Sequence, residues 1–328
     1  MSLRFSPSLF LIALALVAAD FRATPSFADY TLYTIPGTEA GMIIAGTATY
    51  NPGGTVTHRH PRGTLYFSAH DIRVVKSPAP EAIYTRKLRE VTQANNVDAM
   101  LDLAKWALRN GMLEQSKSLL GAAWKVNAIH PKLKKLAGLM FYINKPVAKS
   151  ESAERHIREF VGGREMTLTP SKHFILLHNG DKTKDPVTGK TRAAMRIELL
   201  ETVYETYFLT FAFEGLLLRP PTEPMEVVLF GQHADFLQLE SKIGDFVRQA
   251  AGFYMPTENI AIFYDTGTST AFRALNSLTK QLGQVKDEIK RNRIAGGGEV
   301  IRLANTLELL IDITREGEDV ATVSRLSS

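Results

Sequence analysis

Eight histidines and the absence of any cysteine limit the side-chain chemistry open to this 328-residue chain. The first candidates are His58 and His60, in the stretch Thr57-His58-Arg59-His60-Pro61. In a strand, residues two apart project from one face, so both imidazoles would stand together, and His70 could join them across a hairpin to hold zinc. No carboxylate or further ligand has a matching spacing, and Arg59 and Arg62 flank the pair. The expected role is therefore the polar face of an exposed strand. His173 and His178 lie five apart, which in a strand puts them on opposite faces, unable to share a metal without a bend. One is expected at the core edge, donating to a backbone carbonyl, and the other in solvent.

Gly296-Gly297-Gly298 precedes a helical pattern and superficially suits an anion-binding helix start. It lacks the Lys-Ser/Thr ending of a P-loop and the strand-turn-helix setting of a dinucleotide site, so a flexible link is expected. The run from Lys280 to Arg293 reads as a solvated helix face with Lys and Glu/Asp pairs. No GxSxG, HExxH, paired-cysteine or Walker pattern occurs in the sequence. By motif, no catalytic, cofactor-binding or metal-binding residue is assigned.

Behind these residues stand the elements that must position them. Arg4 precedes an apolar run from Leu9 to Ala19, and Ser26-Phe27-Ala28 places small residues where a signal peptidase reads. Residues 1–28 are expected to be a secretory signal; the run is too short to cross a bilayer, so no stable membrane span is expected after its cleavage. Its loss removes Arg4, Asp20 and Arg22 and lowers the formal charge of +5 by one. The basic residues read as spread rather than blocked, which argues against nucleic acid as a partner. With no cysteine in an exported chain, stability has to come from packing.

Residues 29–80, rich in Thr, Val, Ile and Tyr, read as a small β module with one turn at Asn51-Pro52-Gly53-Gly54. Beyond Pro78 and Pro80 the period becomes helical. Val97, Leu101, Ala104 and Leu108 share a face, Gly111 ends that helix, and Ser116, Leu119, Leu120 and Ala123 mark a second, with Pro131 opening a third. Residues 81–145 look like a tetratricopeptide-type helical pair, a spacer or docking element, because about three repeats are needed to stand alone. A second boundary is expected near residues 145–152. Beyond it come a strand or bent pair at 166–178, a polar loop, and a helix whose core face carries Ile197, Leu200, Tyr204, Tyr207, Phe208 and Phe211. Glu198, Glu201 and Glu205 fall on its other side. A strand (MEVVLFG), a short helix, a hairpin around Pro256–Asn259 and two terminal helices complete an α+β chain.

The succession SKHFILLH, ETVYETYFLTFAF, MEVVLFGQHADF, AAGFYMPTENIAIFYD, IRLANTLELLIDI and DVATVS resembles a family of exported bacterial proteins, domain of unknown function 1570. The resemblance spans roughly residues 165–324, with residues 30–145 similar to the family's N-terminal segments. It implies a zinc-metallopeptidase-like, gluzincin-type domain over residues 165–328, with the strand NIAIFYD as an edge for an extended peptide. In that family the helix after DVATVS carries His-Glu-x-x-His or a longer variant, whose imidazoles bind zinc while the Glu acts on a metal-bound water. Here Arg325-Leu326-Ser327-Ser328 follows, and Arg325 stands where the first His would be. A guanidinium has no lone pair for a metal. The expectation is an incomplete, catalytically inert domain, either cut short or a genuine short form, with zinc only in full-length relatives. An apolar patch left open on the stripe 300–311 would follow. The alternative expectation is an extracytoplasmic adaptor that holds a peptide or protein.

Overall fold

The computed structural model describes residues 29–34, 40–60, 62–76, 80–180, 182–184, 188–239, 244, 252–265, 268, 270–294, 296–315 and 320–322. The expected signal segment and Arg325 lie outside the described residues. The chain is mixed α+β, with two sheets and nine helices among the described residues, and begins with a β region. Among those residues no helix is long and apolar enough to cross a membrane.

Five antiparallel strands open the chain: β1 (Asp29–Thr34), β2 (Ala40–Asn51), β3 (Thr55–His60), β4 (Gly63–Ser68) and β5 (Ile72–Lys76), in the order β4-β3-β2-β1-β5. The turn between β2 and β3 falls on Gly53 and Gly54, whose φ of 91° and 77° exclude most other residues. Helix α1 (Pro80–Ala94) then buries none of its residues.

Helices α2 (Val97–Arg109), α3 (Leu113–Val126), α4 (Pro131–Asn144) and α5 (Glu151–Val161) follow. Asn96 caps α2 by accepting from the Ala99 amide, Gly111 turns the chain at φ 76°, Pro131 occupies the first turn of α4, and Ser150 caps α5. Next come β6 (Thr167–Pro170), β7 (Phe174–His178), α6 (Arg192–Phe213), β8 (Met225–Phe230), α7 (His233–Leu237), β9 (Gly252–Met255) and β10 (Ile260–Tyr264). They form a second sheet in the order β6-β7-β8-β10-β9, in which β7, β8 and β10 are parallel and the outer two strands antiparallel. The strand expected at the edge, β10, is interior; β9 is the edge. The central strands are apolar on both faces, as a sheet covered on two sides requires. Ile175, Leu177, Val228, Ile260 and Ile262 pack with Ile157 and Val161 of α5 and Phe236 of α7. Phe174, of opposite parity, meets Tyr204 of α6 edge-on.

The last elements are α8 (Thr270–Asn292), α9 (Gly297–Arg315) and β11 (Val320–Thr322), the last pairing with Ala40–Met42 of β2. Leu310 and Ile313 of α9 pack with Met42, Ile44, Leu65 and Phe67 of the first sheet, and Thr306 Oγ1 accepts from the Tyr66 amide. Residues 88–269 thus form one compact unit, and residues 29–87 with 270–322 form another. This grouping departs from the expectation of a domain running from 165 to 328: helix α9 joins the core of the N-terminal sheet. The stripe on α9 is correspondingly divided, with Ala304, Leu310 and Ile311 buried and Val300 and Leu303 exposed. Gly296 and Gly297, at the start of α9, form a close corner rather than a loose link. Gly296 has φ 75°, and a Cβ on Gly297 would stand 2.2 Å from Ile289 Cγ2.

Candidate functional site

Of the three N-terminal histidines, His58 departs most from expectation. It is fully buried, not part of an exposed polar face. Its Nε2 donates to the Ala45 carbonyl at 3.2 Å, because a carbonyl can only accept, and Nδ1 lies 2.8 Å from Thr31 Oγ1. Thr31 is on β1, two strands away from β3. The ring reaches it by lying over Gly46 of β2, where any Cβ would approach Nε2 to 2.2 Å. Asp29, also buried, accepts from the Ala48 amide on the same face. His60 Nδ1 accepts from the Arg62 amide at the end of β3, and His70 is exposed between β4 and β5. The three imidazoles do not converge.

In the second unit, His173 precedes β7 by one residue, so strand alternation does not govern it. Its ring stacks on Tyr204 of α6 at 3.9 Å, and His178, sharing the parity of Phe174, also falls on the α6 side. The expected opposite placement is thereby corrected, as is the expected carbonyl partner. His173 Nδ1 donates to Glu201 Oε2 at 2.6 Å, and the His173 amide and Ser171 Oγ donate to Oε1 at 2.9 and 2.5 Å. His178 Nε2 instead lies 3.1 Å from Thr169 Oγ1, and burial pushes its imidazole below the usual range. Burial alone would raise the Glu201 carboxyl, but hydrogen bonds from His173 and Ser171 together outweigh it and hold the group below the usual range. Burial, with the charge of Glu201, pushes the Tyr204 phenol up. His173 Nε2 is buried without a hydrogen-bond partner. An imidazole oriented by a carboxylate is half of a general-base arrangement. At 2% exposure it has no route to a substrate in this conformation, and its effect is to fasten the start of β7 to α6.

A second carboxylate–imidazole cluster joins α5 to the same end of the sheet. His156 Nδ1 lies 2.7 Å from Glu226 Oε2 on β8, and Nε2 lies 3.4 Å from Glu258 Oε2 in the β9–β10 turn. The hydrogen bond to Glu226 raises the His156 pKa, while burial pushes Glu226 up despite that partner. The two carboxylates address opposite edges of the ring, so they do not converge on a common point.

At the other end, the carboxyl ends of β7, β8 and β10, three connections meet. This is where open α/β sheets bind ligands. Asn179 Oδ1 accepts from the Gly231 amide at 2.7 Å, and its Nδ2 donates to Asp235 at 3.2 Å. Thr268 Oγ1 accepts from the His233 amide and donates to the Asp265 carbonyl, and Arg192 at the head of α6 lies 3.7 Å from the Asp265 carboxylate. A Cβ at Gly231 would come within 2.5 Å of the Asn179 carbonyl oxygen, so glycine lets the two connections close on each other. This polar rim is the candidate functional site. Sequence reading passed over it because its members come from three separate loops; the signal present was Asn-Gly and Phe-Gly immediately after two apolar strands. No family model, curated protein or solved structure matches the chain.

Proposed function

We propose that this is an exported protein whose sheet β6–β10 is a gluzincin-like scaffold that holds extended peptide without cleaving it. The observation that carries the reading is the edge strand β9. It runs antiparallel to β10, and no described strand pairs with its other side. Such an edge offers main-chain hydrogen bonds to an incoming strand, and alternate side chains give it selectivity. Phe253 and Met255 pack toward the core, leaving Tyr254 on the opposite face. The lack of any HExxH in the sequence supports holding over hydrolysis. The α2–α4 helices, tetratricopeptide-like in their Ala/Leu packing, are the spacer of this reading.

The test is a fluorescence-anisotropy screen of labelled extended peptides against the full chain, followed by hydrogen–deuterium exchange on the best binder. Saturable binding with new protection at residues 252–255 is expected. Protection confined to other elements, or no saturable binding, overturns the reading. Peptide cleavage restored by added zinc overturns its inert half.

A further inference from the structure

Between Glu114 and Glu151 the chain carries seven lysines and no aspartate or glutamate, although its overall charge is nearly balanced. The basic residues are therefore not evenly spread. Two of the seven are neutralised: Lys117 pairs with Glu205 and Lys132 with Asp98. The other five, which include Lys134 and Lys135, are exposed and form no ion pair among the described residues.

Between its first and last turns, α4 sorts by face. Leu133, Leu136, Leu139 and Ile143 are buried, while Lys134, Lys135, Gly138, Phe141 and Tyr142 are exposed. At 100° per residue these five occupy a roughly 120° arc, and Pro131, Lys132 and Asn144 are exposed at the helix ends. Phe141 is 70% exposed and Tyr142 62%, and Ile129 in the preceding turn is 75% exposed, the highest value among the large apolar side chains of the described residues. The two rings pack edge to face on each other, 5.7 Å between centroids. Bare apolar side chains framed by unpaired lysines are poorly served by water. They match a surface with hydrocarbon below and negative charge above, in which aromatic rings sit at the headgroup level and lysine stems extend past them.

We propose that the solvent face of α4, with the turn carrying Ile129, is a peripheral docking surface for an anionic lipid bilayer. Lipid is favoured over a nucleic-acid strand because Ile129 offers neither a stacking face nor a hydrogen bond, and because Phe141 and Tyr142 are closed on each other rather than open to bases. The proposal does not depend on the peptide-holding reading, since α4 and β9 are separate elements.

Co-sedimentation of the full chain with vesicles tests it, comparing pure phosphatidylcholine with vesicles containing about one-third phosphatidylglycerol. Binding to the mixed vesicles alone, weakened by high salt, is expected. Lys134→Glu with Lys135→Glu should lower the partition coefficient roughly thirtyfold or more. Phe141→Ser with Tyr142→Ser should weaken binding while leaving its salt dependence in place. Circular dichroism checks the fold, and Lys134→Gln with Lys135→Gln repeats the test should charge reversal loosen α4. No binding to anionic vesicles at low salt overturns the proposal, as does equal binding to neutral vesicles or by the lysine variants. Retention by nucleic acid without vesicle binding also overturns it, assigning the patch to a different partner.

Discussion

Replacing Glu201 by alanine should unfold residues 88–269 well before it disturbs the rest of the chain. The carboxylate accepts from the His173 ring, the His173 amide and Ser171 Oγ, in a place where His173 is almost wholly buried. Ser171 has a second acceptor in the Phe174 carbonyl, so its loss counts little. The two His173 donors are left without partners, each costing about 1–3 kcal/mol, and the sum of about 3–5 kcal/mol matches what breaking a buried pair costs. Glu201→Gln retains one acceptor oxygen and should cost only about 1–2 kcal/mol. Glu198→Ala, at an exposed pair three residues earlier, should stay within about 0.5 kcal/mol. The assay is urea unfolding followed by tryptophan emission. The only tryptophans, Trp106 and Trp124, both lie between residues 88 and 269, so the signal belongs to that unit alone. Because the Glu201 carboxyl is held below its ordinary 4.5, its contribution is present above that pH and lost as pH falls through the folded value. The gap between wild type and Glu201→Ala should therefore close in acid. A loss no larger than that of Glu198→Ala, or a gap unchanged in acid, refutes the reasoning.

Gly46→Ala should destabilise the first sheet by about 3 kcal/mol or more, since the new Cβ would meet His58 Nε2 at 2.2 Å and the Arg59 carbonyl oxygen, which cannot swing away, at 2.4 Å. The measurement is a circular-dichroism transition that moves to lower urea while tryptophan emission does not, and coincident unchanged transitions contradict it. His156→Gln should flatten the dependence of stability on pH. The hydrogen bond to Glu226 raises the imidazole above 6.5, so its stabilisation is complete below that pH and is lost as pH rises through the folded value. Urea midpoints from tryptophan emission above and below this window check it, and parallel wild-type and variant profiles count against the bond.

Local signals announced local structure. Asn51–Gly54 marked the β2–β3 turn because glycine tolerates a positive φ, Gly111 and Pro131 bounded helices for the same kind of steric reason, and the apolar runs of β7 and β8 marked strands, which the structure buries on both faces. The polar side of α6 misled. Glu201 and Glu205 have the spacing of a solvent face, yet they are partly buried against His173 and Lys117, because both sides of that helix are occupied. Helix α5 went unread: the Pro, Lys and Ser before it signalled a break, although Ser150 is its cap. His58 pointed inward for a reason no pattern on its own strand contains, the missing side chain of Gly46 on the next. The pairs at the polar rim span 52 residues for Asn179–Gly231 and 35 for His233–Thr268, far beyond any periodicity. The acid-free window around α4 was visible as composition, but only burial separates its paired lysines from its bare ones.

The hydrogen bond from Tyr66 to Thr306 closes a span of 240 residues. Ribosomes add about 5–20 residues per second, so roughly 10–50 s separate the synthesis of β4 from that of the helix that covers it. Through that interval Ile44, Leu65 and Phe67 have no native cover, while residues 88–269 have all of their own contacts to hand. The strands made first are thus finished last, and the newborn chain carries an open apolar sheet face until α9 is made.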